Sequence, residues 1–525
     1  MRKTLLYTLS IALLLALSSC GGGGSGGSSS SSSGYGISIS GRSINFVING
    51  SLDNKTISEI NPPSNITINF DVSTQSPQYQ IGLFLSRDAS LSSDDYEFYQ
   101  AYVDNSRGSV EVILDNQTQE YQNIMNYYGG KYYIIVKAST NSDSSWAAAN
   151  SPIILKKLWT FAVYMDADNS LNSIAGLNIA QMENVGSNKD VNVIVEQDGL
   201  YSSAGRYFIK RFEKEKLQNL GELDMAQAST LVDFGKWVKN DFPAENYLIV
   251  IWDHGLGFES INPKSLSRDL LQDETNNDIM SVPAFTSAID NISSILGKKI
   301  DILGIDACLM NMVEVAYEIK DFADILVSSE NSVPADGWPY DNIIAYIENY
   351  PNSGSQTIAA KIVEYYANYY SNYSQPTTQS AIDLSKISSL VKSIDELAIS
   401  ILSNWNNSSV SSTVKNYADS DTLLQRFNVG SSDYSYADLG NLCSVLAAND
   451  NMTADIKGAA QSVFDNLSQT VIANGYNGYD TGKVYGLTIW FCNPTIYGEQ
   501  SYYYEQLNFA KTTNWDELLD NVSNN

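Results

Sequence analysis

Between Leu158 and Ser329 the chain repeats one pattern, a short run of consecutive apolar residues followed by a stretch of helical periodicity. The runs are "LWTFAVYM", "VNVIVEQ", "YLIVIW", "IDILGI" and "DILVSS". None alternates apolar with polar residues over its length, as a strand with one face in water does. Strands that are apolar on both faces belong to a parallel sheet covered by helices on both sides. The spacing predicts helices over 174–185, 226–241 and 282–296, a further helix from about residue 309, and a hairpin near 206–212. From about Trp338 the pattern is mainly helical, with late strands at "SAIDLS" and "VYGLTIWF". The fold class is therefore α/β, with a mostly parallel sheet flanked by helices across residues 156–525.

The preceding region has a different texture. Over 37–155, "SINFVING", "NITINFDVS", "YQIGLFLS", "GSVEVIL" and "KYYIIVKAS" cluster β-branched and aromatic residues between Asn, Ser, Pro and Gly turns. That spacing predicts a β-sandwich of immunoglobulin-like size, acting as a spacer or binding module. Residues 21–36 are a Gly/Ser linker with nothing apolar to bury. Residues 1–20 read as an export signal: Arg2 and Lys3 precede an apolar run too short to span a bilayer. The run ends in "LSSC", which resembles a bacterial lipoprotein lipobox. That resemblance implies lipidation of Cys20 and a chain tethered to a membrane by lipid rather than spanning it. Gly21 in place of an acidic residue favours an outer membrane or the cell surface.

A formal net charge of −28 and a pI near 4.3 exclude a nucleic-acid partner, whose phosphates need clustered Lys and Arg. Once Cys20 is set aside, Cys308, Cys443 and Cys492 remain. Three scattered cysteines do not make a disulfide framework, and with one histidine they do not make a zinc site. Cys443 lies in a helical pattern and is expected in the core. Cys492 reads either as core or as a disulfide partner for it.

Ligands of open parallel sheets bind at the carboxyl ends of the strands. There the sequence places Asp166-Ala167-Asp168-Asn169, Asp198-Gly199, Asp253-His254-Gly255, Asp306-Ala307-Cys308 and Glu330-Asn331. His254 is the only histidine in the chain. A thiol of pKa about 8.5 is mostly protonated at neutral pH, and an imidazole of pKa about 6.5 can take its proton. His254 and Cys308 are thus the pair that thiolate catalysis needs, with His first and Cys about fifty residues later. The helix expected from residue 309 would add its dipole in favour of the thiolate. Gly255, lacking a side chain, lets its N–H approach a substrate carbonyl, and with the N–H of Cys308 it would form an oxyanion hole.

The landmarks "FAVYMDADNSLN", "LIVIWDHGLGF", "DILGIDACLMNMVEVAYEI" and "SSENSVPADGWPY" together resemble the clostripain-like cysteine peptidases, a family of caspase-like fold. The resemblance runs from about Leu158 to "YGLTIWF". It implies an endopeptidase with His254 as base or proton shuttle and Cys308 as nucleophile, acting on protein or peptide substrates after Arg or Lys. It also implies Asp306 on the floor of the S1 pocket, where a carboxylate would pair with a basic P1 side chain. The alternative for Asp306 is a cap on the next helix. Family members can cut themselves between the His and the Cys, and "ESINPKSLSRDLLQDETNND" offers Lys264 and Arg268. Calcium-activated members exist, so no cofactor is required but calcium is allowed. "DADNSLN" echoes the start of a calcium loop, yet Leu171 and Leu177 stand where such a loop has Gly and Glu. It reads instead as a turn and N-cap, and no metal ligand is assigned. Two other readings compete. One is a surface adhesin or binding lipoprotein with an inactive peptidase-like domain, and the other is a caspase-fold hydrolase of other specificity, such as an amidase.

Overall fold

The computed structural model describes residues 38–39, 45–48, 56–58, 62–104, 107–258, 270–420, 422–427 and 435–524. The linker and the lipobox Cys20 lie outside them, as does the 259–269 segment with Lys264 and Arg268.

The long strand Ile153–Ala167 is the axis of the fold. Its later residues pair in parallel with Val191–Gly199 on one side and Ala244–Trp252 on the other. Ala244–Trp252 pairs in parallel with Ile302–Asp306, which pairs in parallel with Ile325–Ser328. Antiparallel strands close both flanks. Ser202–Lys210 and Glu213–Gly221 form the expected hairpin on one side, and Thr377–Asp383 and Val471–Asn477 lie on the other. Val471–Asn477 was not legible as a strand, because its Gly, Asn and Tyr residues carry no apolar run.

Successive strand residues feed opposite cores. Ala162, Tyr164, Ile249 and Ile251 pack with Phe234, Phe285 and Ile289 of the helices Ala228–Asp241 and Val282–Leu296. Phe161, Val163, Leu248 and Val250 pack with Ile179, Ile343 and Ile362 of the helices Asn172–Val185, Tyr340–Asn349 and Ser355–Tyr369. Burial on both faces is why the runs show no polar alternation.

The first residues of the axial strand belong to the N-terminal region. Ile153–Leu155 pair antiparallel with Gly130–Tyr132, and Ile154–Lys156 pair in parallel with Thr56–Ser58. Around them, the strands Asn65–Ser73 and Arg107–Asp115 form one antiparallel sheet, and Tyr79–Ser86, Tyr96–Val103, Gly130–Ser139 and Ser144–Ala148 form another. Ile68, Phe70 and Val112 from the first share one apolar cluster with Leu83, Ile134 and Val136 from the second. A short helix, Gln119–Met125, joins them.

One expected element begins later than the sequence suggests. The helix after Cys308 is Val313–Ile319, not a helix from residue 309. Leu309 has φ 59°, a left-handed backbone that cannot continue a right-handed helix. The dipole argument for the Cys308 thiolate therefore falls away, and Asp306 caps no helix.

Burial pushes the carboxyls of Asp306 and Glu314 up to about 7. Their folded pKa values exceed the unfolded values of about 4, so the folded state holds protons that the unfolded chain releases. The stability these groups contribute is fully present below about pH 4 and is lost as pH rises through about 7. The large negative net charge acts in the same direction. Thermal unfolding should therefore occur several degrees higher at about pH 5.5 than at about pH 8, and a midpoint lower at the acidic pH would contradict this.

Candidate active site

Parallel pairing aligns the carboxyl ends of the central strands on one rim. In the register between Ala244–Trp252 and Ile302–Asp306, Trp252 lies opposite Asp306. The Asp253 N–H then donates to the Asp306 carbonyl at 3.4 Å, so the two chains leave the sheet side by side. His254 lies two residues beyond one strand end and Cys308 two residues beyond the other. Both are half-buried.

Gly255 makes this close approach sterically feasible. A Cβ at Gly255 would lie 2.6 Å from the Cys308 carbonyl oxygen and 3.1 Å from Ala307 Cβ. The glycine therefore serves first to let the histidine loop rest against the backbone of the cysteine. Cys308 is followed immediately by the left-handed Leu309. A bulky residue held there costs on the order of 1 kcal/mol or more, and such strain persists where the surroundings dictate it. The surroundings are the 329–333 segment. Leu309 N–H donates to the Asn331 carbonyl at 3.2 Å, Asn311 N–H to the Ser329 carbonyl at 3.0 Å, and Val333 N–H to Cys308 Sγ at 3.2 Å. The landmark "SSENSVPADGWPY" thus wraps the loop that carries Cys308.

His254 is held from the other side. Its Nε2 lies 2.9 Å from Ser170 Oγ. Asn169 Nδ2 donates to Asp253 Oδ1 at 2.7 Å and to the Gln272 carbonyl at 2.9 Å, while Gln272 N–H donates to Asp253 Oδ2. Burial pushes the Asp253 carboxyl well up. The sequence reading missed Ser170, Asn169 and Gln272 as neighbours of the histidine. Their only signal was a place at a strand end or just past a loop. The "DADNSLN" turn is present, closed by Asn169 Oδ1 accepting from the Leu171 N–H at 2.8 Å. Its expected side-chain N-cap is absent: Leu171 precedes the helix and makes no capping bond.

Asp306 is buried beneath the 336–340 segment. Its Oδ2 accepts from Trp338 N–H at 3.0 Å and Tyr340 O–H at 2.8 Å, while its buried Oδ1 has no hydrogen-bond donor among the described residues. Gly337 (φ 65°) passes so close that a Cβ there would lie 2.8 Å from Oδ2. Tyr370 donates to the Gly337 carbonyl at 2.7 Å, and burial followed by the Asp306 charge pushes its hydroxyl well up. Asp306 is thus a carboxyl in an aromatic recess with one oxygen left over. Cys443 and Cys492 are both buried, and neither is in a disulfide. Burial pushes the Cys443 thiol up, which disfavours its thiolate.

The same rim carries a carboxylate group that the sequence reading did not assemble. Ligand oxygens of Asp168, Glu222 and Asp273 all lie within 4.8 Å of one another. They come from three separate segments, so no spacing announces them. Their chemistry fits a hard cation that takes oxygen ligands.

The model of the clostripain family matches residues 163–521. Clostripain of Hathewaya histolytica is 25% identical over 428 residues, covering 69% of this chain and 80% of that protein. Among solved structures, an inactive zymogen C11 protease from Parabacteroides distasonis is similar at 19% identity and a TM-score of 0.52, covering 68% of this chain and 98% of that one. A secreted C11 cysteine protease from Bacteroides thetaiotaomicron, in complex with an irreversible peptide inhibitor, matches at 19% identity and a TM-score of 0.51, covering 69% and 99%. These structures share the caspase-like α/β fold.

The contact at Gly255 generates a direct test. Gly255→Ala forces the two loops apart, an overpacking that costs about 1–3 kcal/mol. Peptidase activity should fall at least about tenfold while the thermal midpoint moves only a few degrees. Full activity in this variant would show that the close approach is dispensable.

Proposed function

The chain belongs to the clostripain family of cysteine peptidases, and from that premise we propose that it cleaves peptide bonds after Arg or Lys with His254 and Cys308 as its catalytic pair. The observation that carries this reading is the side-by-side exit of the two loops, with Gly255 pressed on the Cys308 carbonyl. His254 takes the thiol proton, and the Cys308 sulfur attacks the scissile carbonyl. The resulting oxyanion is met by the N–H groups of Gly255 and Cys308. The C–N bond breaks as the imidazolium returns its proton to the leaving amine, giving a thioester. Water, deprotonated by His254, hydrolyses that thioester and regenerates the thiol.

Asp306 supplies the preference for a basic side chain. Its Oδ1 has no donor among the described residues and its Oδ2 is fixed by Trp338 and Tyr340. A guanidinium or ammonium entering the recess supplies the missing donor and keeps the carboxyl ionised. Cleavage after Lys264 or Arg268 would separate the histidine strand from the cysteine strand in sequence while leaving both in one sheet. Lipidation of Cys20 and the Gly/Ser linker would hold the exported enzyme at a membrane surface, within reach of extracellular proteins and peptides.

Asp306→Asn should lower kcat/KM on an Arg-terminated amide reporter by about 100-fold or more, because a buried cation would lose its counter-charge. Alkylation of Cys308 should proceed at the wild-type rate. Since the Asp306 carboxyl is pushed up to about 7 by burial, wild-type kcat/KM on Arg should fall as pH drops below about 7, and the Asn variant should lack that titration. An unchanged Arg preference in Asp306→Asn would overturn the specificity assignment.

A further inference from the structure

The His254 ring has two nitrogens, and one of them faces a hydroxyl. Nε2 lies 2.9 Å from Ser170 Oγ, although the two residues are 84 apart in sequence. They follow different strands of the sheet, Ile153–Ala167 and Ala244–Trp252. The seat of Ser170 does not depend on its own side chain, which is exposed. On its amino side Asn169 is buried, and its Nδ2 donates to the carbonyls of Asp166 at 3.3 Å and Gln272 at 2.9 Å and to Asp253 Oδ1 at 2.7 Å. On its carboxyl side the Leu171 N–H donates to Asn169 Oδ1 at 2.8 Å. Through Asp253 the same amide also holds the residue before the histidine. One buried side chain therefore ties together the two backbones on which the hydroxyl and the ring are mounted.

A neutral imidazole carries its proton on one nitrogen and acts as a base only at the other. We propose that Ser170 is a positioning residue for the peptidase reaction: its Oγ accepts a hydrogen bond from Nε2–H and so fixes the tautomer whose Nδ1 lone pair is the base. The Cys308 S–H bond then breaks with its electron pair left on sulfur, and the proton goes to Nδ1. The Nε2 proton stays where it is, and Ser170 keeps its own. In the imidazolium both nitrogens carry protons, and the bond to Ser170 becomes charge-assisted and stronger than in the neutral ring. When Nδ1–H passes its proton to the leaving amine, the ring returns to the starting tautomer without turning over. Asn169 contributes by keeping residue 170 in place, so the hydroxyl meets the ring at a fixed point.

The role in catalysis rests on the peptidase reading, whereas the hydrogen bond and the tautomer do not, and two measurements separate them. The full chain carrying Cys308→Ala is prepared with histidine labelled with nitrogen-15 in the ring and followed by NMR at about pH 8.5, above the ordinary imidazole titration. With one histidine in the chain, the spectrum holds a single pair of ring-nitrogen signals. Nε2 is expected to carry the proton. Adding Ser170→Ala should move the Nε2 signal, and Ser170→Thr, which keeps a hydroxyl, should leave it near its parent position. In the chain with its thiol, Ser170→Ala should lower kcat on an Arg-terminated amide reporter by about tenfold with KM changed less than about twofold. Ser170→Thr should restore most of that loss. A proton on Nδ1, or an Nε2 signal that ignores Ser170→Ala, overturns the bond and the tautomer. An unchanged kcat, or a loss that Ser170→Thr does not restore, overturns the positioning role. A parent chain that cleaves no peptide overturns the peptidase reading and the positioning role together, while the nitrogen signals still decide the bond.

Discussion

The parallel pairing of Ala244–Trp252 with Ile302–Asp306 is the constraint on which the site depends. Strand spacing of about 4.8 Å fixes how far apart two neighbouring strand ends can be. The Trp252–Asp306 register then fixes that the next residues leave together. A slip of one residue would turn every side chain of the strand to the other face and force both apolar cores to repack. The geometry of His254 and Cys308 is thus secured by the burial of residues that take no part in chemistry.

Around this frame the rim is built from backbone hydrogen bonds and carboxylates rather than from ion pairs. The strained Leu309 is tolerated because the 329–333 segment holds it on one side and Gly255 yields space on the other. Asp253, Asp306, Asp168 and Asp273 are all buried at strand ends, each with a different set of donors. Where the donors suffice, as for Asp253, the carboxyl ties loops together. Where one oxygen is left over, as for Asp306 and Asp168, the carboxyl is suited to meet a positive charge from outside the chain.

Much of this was legible in the sequence because two-sided burial leaves a plain mark. The unalternating runs located the parallel strands, and their polar ends located Asp166, Asp198, His254, Asp306 and Cys308 on one rim. Features set by contacts between distant segments were not legible. The spacing predicts a helix from about residue 309, whereas contacts with Asn331 and Ser329 impose a left-handed turn at Leu309. The Asp168, Glu222 and Asp273 group draws on distant segments, and single-sequence spacing carries no information about that. The strand Ile153–Ala167 joins the N-terminal sheets to the central one, so the change of texture near residue 156 marks a change in what covers a single continuous strand.

The central claim is that His254 and Cys308 act on a substrate as one unit. A peptide chloromethyl ketone ending in Arg alkylates a cysteine rapidly only where the peptide is seated and the thiol is activated. Mass spectrometry of the intact protein, with peptide mapping, should find one adduct per chain on Cys308, and His254→Ala should slow its formation by at least about a hundredfold. An adduct on Cys443 or Cys492, or equal rates with and without the imidazole, would contradict the account.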